Sequence, residues 1–221
     1  MNNPQTIAVI DFETTGMSPS LGARATEIAA VLVRDGRVVD RFASLMRSGE
    51  RVPAFIEQLT GISNRMLAAA PPSAQVMREV SAFTRGCGVV AHNASFDRAF
   101  WQHERALARV AGAAGDPAEF ACTLLLSRRL YPEAANHKLG TLVAFHGIEP
   151  TGRAHRALAD AEVTAELWLR ITRDVQRRYA AGTPFSLLCA LQRAPKTGLA
   201  ACAERYLVKS AASGLNRHPA A

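Results

Sequence analysis

Apolar and polar positions alternate between two periods along this chain. Ile7–Phe12 is a short apolar run that ends in acidic and turn-rich residues, which predicts a buried strand. Glu27–Arg34 and Arg37–Met46 flank Asp35-Gly36, and Asp-Gly between two β-prone runs predicts a hairpin. Three adjacent antiparallel strands are therefore expected first. Period 3.6 then takes over. Pro53–Leu59 predicts a short helix with proline in its first turn. Pro72–Arg85 carries Val76, Val80 and Phe83 at helical spacing, with Ser73 as its candidate N-cap.

Single strands alternate with helices from there on. Gly88–Ala91 and Phe120–Thr123 read as strands, and the latter leads into a helix to Leu130. Ser95–Ala111 and Lys138–Phe145 read as helices, the second ended by His146-Gly147. Ala157–Val175 is a long amphipathic helix. This order predicts an α/β layered domain with a mixed sheet. Gly182-Thr183-Pro184 and Pro195-Lys196-Thr197-Gly198 interrupt the chain. The expected division is a domain over residues 1–178 and an extension over 179–221. Leu187, Leu188, Leu191, Leu199, Tyr206 and Leu207 give that extension too much apolar surface for a disordered tail. It is expected to dock on the domain, on a second copy in a homodimer, or on another partner.

Composition narrows the class. With 221 residues and 48% hydrophobic content, the chain can bury one good-sized core. No run of 18 uncharged apolar residues predicts a membrane span, and no secretory signal opens the sequence, so a cytoplasmic protein is expected. Cys87, Cys122, Cys189 and Cys202 form no CxxC pair, so free thiols rather than a zinc site are expected. The net charge of +7 is uneven. Residues 1–174 hold 19 Lys+Arg against 18 Asp+Glu, whereas residues 175–221 hold 7 against the single Glu204. A basic extension suits a polyanion or an acidic protein surface, and equally a merely solvated tail.

The candidate chemistry lies in three carboxylate-bearing segments. In a strand, Asp11 and Glu13 share a face, with Phe12 turned to the other layer. Such neighbours repel unless a cation or ion pair compensates. In Val89-Val90-Ala91-His92-Asn93-Ala94-Ser95-Phe96-Asp97 an apolar strand runs through a polar turn into a helix. Asp97 then sits in a first helical turn, where the dipole favours a carboxylate; Asn93 and Ser95 are candidate caps. In His155-Arg156-Ala157-Leu158-Ala159-Asp160 the aspartate falls near the start of the long helix and the histidine on the loop before it. Four converging carboxylates suit two magnesium or manganese ions that clamp a phosphoryl centre. A histidine, with its ordinary pKa of about 6.5, suits a general base.

These segments resemble the DEDDh 3′–5′ exonucleases, and among them the proofreading epsilon subunits of bacterial DNA polymerase III. The matching pieces are Asp11-Phe12-Glu13-Thr14-Thr15-Gly16, Leu59-Thr60-Gly61-Ile62, His92 to Asp97 and His155 to Ala161. The resemblance implies an RNase H-like fold with a five-stranded mixed sheet flanked by helices, and hydrolysis from a single-stranded or frayed 3′ end to nucleoside monophosphates. It makes Asp11, Glu13, Asp97 and Asp160 the ligands of two ions, and His155 the base. It implies that Thr14, Thr15 and Gly16 line the terminal nucleotide. Leu59 and Ile62 are either a wedge at the terminal base or core packing. His92, Asn93 and Phe96 border the nucleotide pocket, with pure core the alternative for Phe96. DNA is the expected substrate and a DNA polymerase subunit an expected partner. An RNA exonuclease resembling oligoribonuclease or RNase T, and an inactive nucleic-acid-binding module, are the competing readings.

Overall fold

The computed structural model describes residues 5–110, 119–150, 152–179 and 183–215, with side chains up to Lys209. Strands β1 (Ile7–Thr14), β2 (Ala25–Arg34) and β3 (Arg37–Leu45) form an antiparallel meander turned by Asp35-Gly36, both at positive φ. Helices α1 (Ala54–Thr60), α2 (Asn64–Ala69) and α3 (Ser73–Phe83) follow. Strand β4 (Gly88–Ala91), helix α4 (Ser95–Leu107), strand β5 (Phe120–Cys122) and helices α5 (Thr123–Leu130), α6 (Leu139–His146) and α7 (Ala157–Tyr179) complete the layers. The sheet order is β3-β2-β1-β4-β5; β4 and β5 add parallel to β1. This is the expected five-stranded mixed sheet flanked by helices.

Alternation along β1 and β2 divides the core. Ile7, Val9, Ala29, Val31 and Val33 face α7, whereas Ile10, Phe12, Ile28 and Ala30 face α3 and α4. Ala157, Ala161 and Ala165, at four-residue spacing on α7, are fully buried against Val9, Ala29 and Val31. Small side chains on both surfaces let the helix lie close to the sheet. That approach carries the start of α7 to the end of β1.

Several local expectations change. Ser73 is the first residue of α3, and Pro72 precedes it without a side-chain cap. Neither Asn93 nor Ser95 caps α4, whose preceding residue is Ala94. Helix α2 was not expected; Ser63 caps it by accepting the Met66 N–H. Lys138–Phe145 is shifted by one residue, and Gly147 at φ 62° ends α6.

The extension docks on the domain. Helix α8 (Phe185–Leu191) buries Leu187, Leu188, Cys189 and Leu191 in the cluster that holds Trp168 and Ile171 of α7. Helix α9 (Leu199–Leu215) adds Leu199 and Ala203 to it. All four cysteines are free thiols. No helix among the described residues is long and apolar enough to cross a membrane.

Candidate active site

Strand β1 delivers two carboxylates to one face. Asp11 pairs with Ala29 and Glu13 with Glu27, while Phe12 packs in the opposite layer, 6.4 Å from Phe100. The register slips between Glu13 and Thr14, where Thr26 of β2 is passed over. Beyond it the Thr14 hydroxyl donates to the Gly16 carbonyl at 2.7 Å, and the Thr15 Oγ1 accepts the Arg24 N–H at 3.0 Å.

Asp97 arrives from the other layer. It lies in the first turn of α4, is only 2% exposed, and its Oδ1 accepts the Phe12 N–H at 3.2 Å. Strand β4 pairs with β1 only over Ile7–Val9, so Asp97 serves the backbone of β1 past that point.

Asp160 and His155 come from the start of α7. The Asp160 Oδ2 accepts the His155 N–H at 2.8 Å, which ties the loop back to the helix. His155 is exposed, with a left-handed φ of 61°. One ligand atom from each of Glu13, His155 and Asp160 lies within 4.8 Å of the others.

The electrostatics follow from the crowding. Burial, then Asp97, Glu13 and Asp160, push the Asp11 carboxyl well above the usual range. Burial, then Asp160 and Glu27, push Glu13 up to about 8, against the opposing charge of Arg156. Burial pushes Asp97 up to about 8 although the Phe12 N–H opposes it. Burial also raises Asp160, against the His155 N–H. Carboxylates that resist ionisation together form a site that a divalent cation relieves.

A cavity of about 840 Å³ opens over Asp11, Glu13 and Asp160, whereas Asp97, buried beneath β1, is not among its lining residues. Asp11, Glu13, His155 and Asp160 line it, with Thr14, Gly16, Leu59, His92 and Phe96 of the expected substrate-contact set. Three expected contacts are not brought to it. Thr15 is bonded to Arg24, and Asn93 is an exposed turn residue at φ 62°. Ile62 is fully buried with Val52 and Leu67, so packing claims it, whereas Leu59 is 46% exposed. Phe96 does both: it lines the cavity and packs 4.9 Å from Phe100. His92 is pinned between the Thr123 hydroxyl at 2.9 Å and the His137 carbonyl at 3.1 Å, and burial pushes its pKa down to about 4. It is a fixed neutral wall.

Glu27, Arg156, Lys138 and Met17 are among the residues that escaped the sequence reading. The last two line the cavity. Glu27 is 4% exposed and accepts from Arg156 Nη2 at 2.8 Å, Arg156 Nε at 3.1 Å and the Ala157 N–H at 3.0 Å. The single charge at the head of the apolar run Ile28–Val33, within a strand, was the available signal, because a buried carboxylate demands a partner.

Residues 8–168 match the family model for the exonucleases named after RNase T. The chain belongs to the DEDDh exonuclease family. The 3′-5′ exonuclease DinG of Bacillus subtilis is 37% identical over 191 residues, 86% of this chain and 20% of that protein. The PolC-type DNA polymerase III of Halalkalibacterium halodurans is 39% identical over 173 residues, 77% of this chain and 12% of that one. This exonuclease domain thus spans at most a fifth of the length of these relatives. Among solved structures, exonuclease X in complex with 5′ overhanging duplex DNA is 29% identical, with a TM-score of 0.60 over 76% of this chain and 91% of that one. The nuclease domain of 3′hExo, a DEDDh family member bound to rAMP, is 20% identical with a TM-score of 0.66 over 78% and 94%, and shows the shared fold.

Proposed function

We propose that this exonuclease domain removes nucleotides one at a time from a 3′ end as nucleoside monophosphates, with DNA preferred. The convergence of Asp11, Glu13, Asp97 and Asp160, each pushed toward the protonated form by burial and by its neighbours, carries the reading. Carboxylate oxygens beside one imidazole fit magnesium or manganese, and ligand atoms of Glu13, His155 and Asp160 lie within 4.8 Å of one another. Asp11, Glu13 and Asp160 would hold one ion, with Asp11 and Asp97 supporting a second. Bound divalent cations supply positive charge to the attacking and leaving oxygens and ease ionisation of water.

The chain's own groups do the rest. Asp160 holds the His155 backbone, and the exposed imidazole takes the proton of the attacking water. Leu59 and Phe96 offer apolar surface to the terminal sugar and base. The residues that carry the hydrolysis all lie within 1–178, and the extension over 179–221, docked on that domain, adds basic side chains for polyanions. The kinship to PolC-type polymerases supports a role beside a DNA polymerase.

The test compares the wild type with Asp11→Ala on 3′-labelled single-stranded DNA and RNA, with magnesium and with manganese. Shortening of DNA by single nucleotides, abolished in the variant, is expected. RNA shortened in place of DNA would remove the DNA preference, and no shortening of either would remove the activity.

A further inference from the structure

Glu27 is a fifth carboxylate at this end of the sheet, directly opposite Glu13 in the β1–β2 pair. A carboxylate so placed is satisfied either by a cation in the cleft or by donors from the protein. Here the protein supplies them. Arg156 grips both oxygens as a fork, and the Ala157 N–H adds a third bond. An ionised carboxylate accepts about four hydrogen bonds, so three of them leave little capacity for an ion.

The donors come from the residues where α7 begins, between the site residues His155 and Asp160. His155 immediately precedes Arg156, and Asp160 follows Ala157 by three residues. His155 adopts a left-handed backbone, which a residue with a β-carbon keeps only when its surroundings enforce it. Its own N–H is held by Asp160, and the next residue is held by Glu27. Since Glu27 and Glu13 sit side by side on adjacent strands, the clamp sets the loop and helix in register with β1.

We propose that Glu27 and Arg156 are positioning residues, a buried clamp that fixes the start of α7 and through it places Asp160 and His155 relative to Glu13. Neither touches substrate or ion. The activity arm of its test rests on the exonuclease reading; the other arms do not.

The test uses the full chain with Glu27→Gln, Arg156→Lys and the double variant. In Glu27→Gln the Ala157 and His155 amides are expected to exchange hydrogen faster than in the wild type. With saturating manganese, kcat on a short oligonucleotide is expected to fall about 10- to 100-fold with KM nearly unchanged, the usual size for a group that orients a site residue. The double variant is expected to be no worse than Glu27→Gln, because both remove one clamp. Arg156 is partly exposed, so Arg156→Lys keeps a folded protein in hand if Glu27→Gln does not fold; it loses the fork and is expected to lose kcat and amide protection in smaller measure. Unchanged protection and kcat in folded variants would overturn the clamp. So would additive losses, or a weakened manganese affinity whose kcat defect excess manganese restores, which would make Glu27 a ligand. If the wild type digests nothing, the exonuclease reading fails, while amide exchange and manganese calorimetry still decide the clamp.

Discussion

The side-chain amide of Gln192 bonds to Cys122 as a neighbouring strand would. Its Oε1 accepts the Cys122 N–H at 2.7 Å and its Nε2 donates to the Phe120 carbonyl at 3.0 Å. Strand β5 is the sheet edge, and an open edge invites pairing with other chains. The residue that closes it lies in the extension, just past α8.

Removal of residues 183–221 is therefore expected to unfold or aggregate the domain. It strips out Leu187, Leu188 and Leu191, each fully buried and each worth roughly 1.5–3 kcal/mol. That sum rivals the typical total stability of about 5–15 kcal/mol. Urea unfolding of the truncated and full chains measures it. Equal midpoints would show that the domain ends before α8.

The crowded carboxylates predict an unusual pH trend without cations. Glu13 and Asp97 titrate at about 8 when folded, against ordinary values near 4 when unfolded. The folded form thus holds protons that the unfolded form has released. The stability this confers is present below about pH 4 and is lost as pH rises through about 8. Thermal melts in EDTA are expected to fall across that window, and saturating magnesium to reverse the loss, because the ion takes the place of the protons. Melts that rise from pH 5 to 8 in EDTA would contradict the mutual repulsion.

Much of the fold was legible because it rests on local rules. Strand alternation alone put Asp11 and Glu13 on one face, and Asp35-Gly36 marked the hairpin. What the sequence hid depends on contacts between distant residues. Arg156 is 129 positions from Glu27, and no local rule links them. Asp97 needed the open flank of β1 to become a site residue rather than a helix-start aspartate. Ile62 and Leu59 sit three residues apart in one motif, yet the turn at Gly61 sends one into the core and leaves the other at the cleft. The destination of α8 rested on which surface its leucines would meet.

That divergence separates Leu59 from Ile62 by experiment. Ile62→Ala empties a fully buried position and is expected to cost about 2–5 kcal/mol. Leu59→Ala is expected to cost under about 0.5 kcal/mol, as exposed substitutions do, and to raise KM for a short oligonucleotide. Paired urea unfolding and steady-state kinetics read both. A Leu59→Ala protein with wild-type KM would remove this residue from the substrate surface.

His155 carries the last distinction. Its imidazole lies near enough to Glu13 and Asp160 to share a cation with them, so ligand and base are both open to it by distance. Exposure and attachment favour the base: His155 is exposed where it lines the cavity, and Asp160 accepts from its backbone N–H. His155→Ala is expected to lower kcat about 10²–10⁴-fold, the usual loss of a general base, and to leave manganese affinity at the wild-type level. Asp160→Ala is expected to weaken that affinity, because it removes a carboxylate ligand. Calorimetric titration of manganese into both variants, beside steady-state rates, separates the roles. If His155→Ala loses affinity as Asp160→Ala does, and excess manganese restores its rate, the imidazole is a ligand and the proton leaves by another group.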